Sequence, residues 1–163
     1  MSDLQKILAS CDLFIDECLT LQIASKNSNQ EPLASYAPFV RRAGCYYLFL
    51  SGLAPHYNNL SQNAEVGLML IRDESRSPNP FARERLQLKA NASKLAKNHP
   101  DRPELISRFK SKFGKQFDII EPLPDFDLFE LRVSCGRYIF GFAQAYELYG
   151  DNMDQLRHID PRK

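Results

Sequence analysis

Residues 45–71, CYYLFLSGLAPHYNNLSQNAEVGLMLI, decide how the rest of the chain is read. The run CYYLFL is short, apolar and aromatic, with Gly44 before it and SGLAPHYNNLSQNAE after it, the composition of a buried strand between turns. Pro55 is tolerated in the first turn of a helix, so a short helix fits between Pro55 and Ala64. VGLMLIRD then returns to an apolar run and reads as another buried strand.

Upstream, TLQIAS and LASYAPFV flank the polar KNSNQEP, which suits a hairpin connection. Ahead of them Leu4, Ile7, Leu8, Cys11, Ile15 and Cys18 recur at helical spacing with Ser2 and Asp3 as caps, so an amphipathic helix opens the chain. Downstream, the loop SRSPNPFARER feeds LQLKANASKL, where Leu86, Leu88, Ala90 and Ala92 alternate with polar residues at the period of a half-buried strand. A second helix runs from near Pro103 through Leu105, Ile106, Phe109 and Phe113 to Gly114. LFELRV and YIFGFAQAY then surround SCGR, a hairpin candidate with Gly136 in its turn, and residues past Tyr149 read as a polar tail. The expectation is an α+β protein of about six or seven antiparallel strands forming a small barrel with flanking helices. It divides into a domain over residues 1–149 and a C-terminal tail over residues 150–163.

Composition bounds the function. A chain of 163 residues is one domain able to build its own core. A net charge of +1 with dispersed charges argues against nucleic acid as partner, since such a partner demands a basic stripe. Cys11, Cys18, Cys45 and Cys135 form no CxxC pair and sit in apolar segments, as buried thiols do in a reducing compartment. The opening MSDLQKILAS has no basic leader followed by an apolar run, and no stretch approaches the roughly eighteen apolar residues of a membrane span. The expected setting is cytoplasmic, without a membrane partner.

There is no GxGxxG, Walker loop, HExxH or GxSxG. The three histidines, His56, His99 and His158, are too scattered for a zinc cage of helical or CxxC spacing. His158 stands five residues from the last residue, in QLRHIDPRK, where chain ends are usually mobile. From position alone a tail histidine is more often unstructured than functional.

Taken together, ASYAPFV, YLFLSGLAPHYNNLSQNAEVGLMLI, NPFARERL and PDFDLFELRVSCGRYIFGFAQAY resemble the pyridoxamine-phosphate-oxidase-like FMN-binding split-barrel superfamily. More narrowly, they resemble its haem-utilisation (HugZ/HutZ-type) branch. The resemblance spans nearly the whole chain and is specific at SGLAPHYNNL and NPFARERL. It implies a split β-barrel, a homodimer with ligand sites at the subunit interface, and cytoplasmic haem utilisation. The implied enzyme is a haem oxygenase that opens the porphyrin with iron, oxygen and an external electron donor. A non-catalytic haem carrier and an FMN-dependent oxidoreductase are the alternatives.

The resemblance also assigns residues. His158 matches the C-terminal histidine that supplies the iron ligand in that branch, and the tail would close over the ring when haem binds. Arg83 and Arg85 in NPFARERL are the propionate candidates, since a guanidinium offers a planar fork to a carboxylate; solvated pairing with Glu84 is the plainer reading. Arg41 and Arg42 offer a substitute for them. For FMN, the stretch Ser51 to Leu60 is where the flavin branch places a basic phosphate anchor. Residues 44–71 contain no Lys or Arg, which leaves Ser51 and His56 and tilts the choice to haem. The resemblance also implies an acidic partner for His158 contributed by the other subunit, with Asp118, Glu121, Asp125 and Asp127 as the candidates. Phe39, Tyr46, Tyr47 and Phe49 either line a slot for the ring or form core, the default for strand aromatics.

Overall fold

The computed structural model describes residues 2–160. Helix α1 (Asp3–Glu17) begins at a capping box: the Ser2 hydroxyl accepts from the Gln5 amide, and the Gln5 side chain accepts from the Ser2 amide. Two donors that a helix start leaves bare are thereby satisfied. The helix buries Cys11, Phe14 and Ile15. Burial pushes the Cys11 thiol up to about 12, which keeps it an inert packing group.

Strands β1 (Thr20–Lys26) and β2 (Pro32–Arg42) form the expected hairpin. Asn27 ties its turn by accepting from the amides of Asn29 and Glu31. The opening segment folds as strand β3 (Cys45–Ser51), helix α2 (Pro55–Gln62) and strand β4 (Glu65–Ile71). Strand β5 (Arg85–Lys94) pairs with β4, and two helices, α3 (Arg102–Phe113) and α4 (Lys115–Ile120), precede the long strand β6 (Phe126–Gly141). Strands β7 (Gln144–Tyr149) and β8 (Gln155–His158) complete the described residues.

The strands run in the order β3-β2-β1-β4-β5-β6, and β3 pairs back onto β6, so six antiparallel strands close into a barrel. Strands β7 and β8 extend the sheet beyond that ring. This is the α+β split-barrel architecture expected from the sequence.

The uniform hydrophobicity of β3 has a simple cause. Tyr46, Leu48 and Leu50 face the barrel interior, whereas Cys45, Tyr47 and Phe49 pack beneath α3 and α4. Phe49 meets Phe109, Phe117 and Phe126 at ring-centroid distances of 6.3, 5.2 and 5.2 Å. Both faces are therefore dry, and no alternation survives.

Two expectations are corrected. SCGR is not a hairpin turn: β6 runs through it as one strand of 16 residues. A bulge at Ser134 slips the phase of the burial pattern, because Ala90 faces Val133 while Lys89 faces Cys135. Gly136 is an inward-facing strand residue, where a Cβ would stand 2.7 Å from Leu88 Cδ2 and 3.2 Å from Leu148 Cβ. The residues past Tyr149 are not simply a polar tail either. Gly150, at φ 91°, turns the chain, and β8 returns along β7 with Leu156 opposite Leu148, both buried. Among the described residues the sheet holds eight strands rather than six or seven, and α4 follows the break at Gly114, φ 55°.

Candidate ligand site at the end of the sheet

A cleft of about 820 Å³ lies against β5, β6, β7 and β8. That is the size range of pockets that take small molecules and cofactors. Lys89, Arg137 and Arg157 bring positive charge to it, Glu147 and Asp160 negative charge, and Leu88 and Ile159 apolar surface. His158 is at its rim.

The register fixes where His158 points. It stands opposite Tyr146, so it shares the face of Tyr146 and Leu156, while Arg157 shares the other face with Glu147. The imidazole is exposed and meets the Tyr146 ring edge-on, with centroids 5.0 Å apart and planes at 68°. Its Nε2 lies 3.1 Å from the carbonyl oxygen of Ala143 in the β6–β7 turn. A carbonyl only accepts, so Nε2 carries the proton and donates, and the neutral ring keeps its lone pair on Nδ1.

The arginines of NPFARERL serve the loop that holds them. Arg83 donates from Nε and Nη2 to the Arg72 carbonyl, at 3.1 and 2.6 Å, and from Nη1 to Glu74 at 3.1 Å. Arg85 donates to the Arg83 carbonyl at 2.9 Å, and its strand position places it on the same face as Gln87 and Lys89. Arg72 bridges Glu17 and Glu84, and Glu84 also accepts from the Tyr138 hydroxyl at 2.5 Å. Arg41 engages Asp12 and Asp16, and Arg42 engages Asp101 and Glu104. None of Arg41, Arg42, Arg83 and Arg85 lines the cleft.

Ser51 and His56 sit where β3 passes into α2, also apart from the cleft lining. The Ser51 hydroxyl donates to Asp125 at 2.6 Å and accepts from the Leu53 amide. His56 is half-buried, and burial holds its imidazole below the ordinary value. Of the acidic candidates, Asp125 is taken by Ser51, Asp127 by Tyr57 and Lys97, and Glu121 by Lys110. Asp118 is in the first turn of α4; none of the four lines the cleft that His158 borders within the same protomer, and the expected partner is one from the other subunit. Phe39, Tyr46, Tyr47 and Phe49 are all buried core.

Lys89, Arg137 and Arg157 are the cleft cations, none of them a candidate from the sequence. The alternation in LQLKANASKL already put Lys89 on the polar face of its strand. Arg137 was hidden by the assignment of SCGR to a turn.

Residues 7–140 match the model of the pyridoxamine 5'-phosphate oxidase family. The chain belongs to this family. It belongs to the haem-utilisation branch as well, being 35% identical over 147 residues to the Vibrio cholerae protein named Heme oxygenase HutZ, which covers 90% of this chain and 84% of that one. Among solved structures, Campylobacter jejuni ChuZ superposes with a TM-score of 0.86 at 27% identity, over 100% of this chain and 68% of that chain. Vibrio cholerae HutZ, described in its crystal structure as a heme storage protein, gives 0.78 at 33% identity, over 82% and 96%. The family match stops at Phe140, so β7, β8 and His158 lie beyond it, in a region that the likeness to ChuZ spans.

Proposed function

We propose that this protein binds haem in the cytoplasm as a homodimer and opens the porphyrin ring, with His158 holding the iron and an external donor supplying electrons. The observation that carries this reading is the placement of His158: an exposed imidazole at the end of the sheet, edge-on to Tyr146 and tied to the Ala143 carbonyl, on a strand held in the sheet, in a chain 35% identical to Heme oxygenase HutZ.

The residues present fit such a ligand. A macrocycle with two carboxylates needs an axial donor, apolar surface and cations. His158 stands at the end of the sheet beside Tyr146, Ile159 follows it, and Lys89 and Arg137 are cations on the opposite face of the sheet. Haem would supply the iron at which oxygen reacts, and its own ring is the substrate. The protein's part is to orient the ring, set ligand strength and control water. The Nε2–H donation to Ala143 fixes the tautomer and orientation of His158, the task that a carbonyl or carboxylate performs behind other metal-binding imidazoles. Ser51 and His56 remain as contacts for a ligand lying across a two-subunit interface, and Arg85 extends the cationic strand face toward the same end of β5.

A haem-storage role is the second reading, favoured by the description of the HutZ crystal structure. FMN is the third, favoured by the family match. One assay separates them. The protein is loaded with haem, then given ascorbate and air in the presence of catalase, and free iron is measured with a chelator. Ring opening is expected to remove the haem absorbance and release iron despite catalase. An unchanged spectrum leaves storage, and a yellow protein that sheds flavin on denaturation leaves FMN.

A further inference from the structure

The end of the sheet around His158 is held in two ways, one for the backbone and one for the ring. Strand β8 docks without the imidazole: Leu156 packs opposite Leu148, Arg157 is bound by Glu147 on the other face, and the Ile159 amide donates to the Ala145 carbonyl at 2.8 Å. The His158 ring is a separate matter. It is exposed, and it hangs on a torsion between a tetrahedral and a planar carbon, which is broad unless neighbours restrict it. Two neighbours restrict it here. Nε2 donates to the Ala143 carbonyl at 3.1 Å, and the Tyr146 ring stands 5.0 Å away with the planes at 68°, the favoured edge-to-face approach. Tyr146 is itself braced: it stacks on Phe140 at 5.8 Å with planes 10° apart, and Phe140 lies 5.2 Å from Tyr138, whose hydroxyl donates to Glu84 at 2.5 Å. Tyr138 stands opposite Tyr146 and Tyr146 opposite His158, so this row of rings crosses from the barrel strand β6 to β8 on the one face from which His158 points.

We infer that Tyr146 is the positioning residue of the iron ligand: its ring, braced by Phe140, fixes the plane in which the His158 imidazole presents its lone pair. This rests on the haem reading above and deepens it. The carbonyl behind the imidazole fixes its tautomer, but ligation through Nε2 would break that bond, whereas an edge-to-face contact with a neighbouring ring is indifferent to which nitrogen carries the proton. An imidazole already held in plane also has less rotational freedom to lose when it takes the iron, which favours binding. The contact is made by the ring of Tyr146 and not by its hydroxyl, so Tyr146→Phe keeps it and Tyr146→Leu removes it.

The test compares full-length wild type, Tyr146→Phe and Tyr146→Leu. Thermal melting shows that the barrel of each is folded, and amide exchange in residues 155–159 shows whether β8 is docked. Haem titration followed by absorbance gives the Kd, and electron paramagnetic resonance of the ferric complex reports how the imidazole plane is set at the iron. Tyr146→Phe is expected to match wild type in both. Tyr146→Leu is expected to raise the Kd about fivefold, as for the loss of one aromatic pair, and to shift the resonance of the iron while exchange in β8 stays unchanged. A Tyr146→Leu complex with the wild-type Kd and resonance would overturn the inference while leaving His158 as the ligand. A Tyr146→Phe variant as weak as Tyr146→Leu would overturn it too, because the hydroxyl would then be the contact. So would a loss of affinity matched by faster exchange in β8, because Tyr146 would then act by docking the strand. Failure of wild type to bind haem at all would overturn the functional reading itself, and the inference with it.

Discussion

His158 donates a hydrogen bond from Nε2 to the backbone carbonyl of Ala143, which ties the last strand to the turn between β6 and β7. The bond decides which nitrogen is available. With the proton held on Nε2, the lone pair lies on Nδ1, so iron could be taken through Nδ1 without breaking the tie, while ligation through Nε2 must break it. Nitrogen-15 NMR of the haem-free protein at alkaline pH is expected to show the Nε2-protonated tautomer for His158. A ring protonated on Nδ1 would contradict the arrangement.

The strand that carries His158 is held by few residues. Leu156 is its one buried side chain, 8% exposed and opposite Leu148, and β8 is otherwise a four-residue edge. Leu156→Ala is expected to weaken the docking of β8 by about 2 kcal/mol, which means roughly thirtyfold faster amide exchange in residues 155–159 with little change in the barrel. Exchange that rises equally throughout the barrel would show that β8 is part of one cooperative unit with it.

Gly136 of β6 lines the cleft between Leu88 of β5 and Leu148 of β7. A methyl group there would meet Leu88 Cδ2 at 2.7 Å and Leu148 Cβ at 3.2 Å, both on buried side chains. Gly136→Ala should therefore cost about 1–3 kcal/mol by overpacking. Urea denaturation measures it, and an unchanged midpoint would contradict the packing described.

Asp127 gives the acid limb of stability a residue. Burial alone would raise its carboxyl, but hydrogen bonds from Lys97 and Tyr57 and the charges of Lys97 and Lys94 hold it below the ordinary value. A folded-state pKa depressed in this way contributes stability that is present above the unfolded value of about 3.9 and lost as pH falls through the folded value. Asp127→Asn should be less stable than wild type at neutral pH and converge with it in strong acid. A gap that stays constant with pH would assign the effect to packing instead.

Much of this was legible in the sequence, and the failures share one cause. The strand–helix–strand of residues 45–71 and the hairpin at KNSNQEP carried period and turn chemistry together, and both stand. SCGR was misread because the Ser134 bulge shifts the inward set from Leu131 and Val133 to Gly136 and Tyr138, and a phase slip in a sequence is indistinguishable from a turn. β8 was missed because a four-residue edge strand buries one side chain and leaves its polar partners in water. At the site, the residue types of NPFARERL were visible, but the capture of Arg83 by a backbone carbonyl was not, since main-chain acceptors have no letter in a sequence. Arg137 was hidden with SCGR, since a residue assigned to a turn has no sheet face.

The most direct measurement is a haem titration of His158→Ala beside wild type, followed by absorbance. The variant is expected to lose the spectrum of a histidine-ligated iron and to bind at least about tenfold more weakly, while its barrel melts as before. Binding of unchanged strength with an unchanged iron spectrum would contradict the account and move the ligand away from β8.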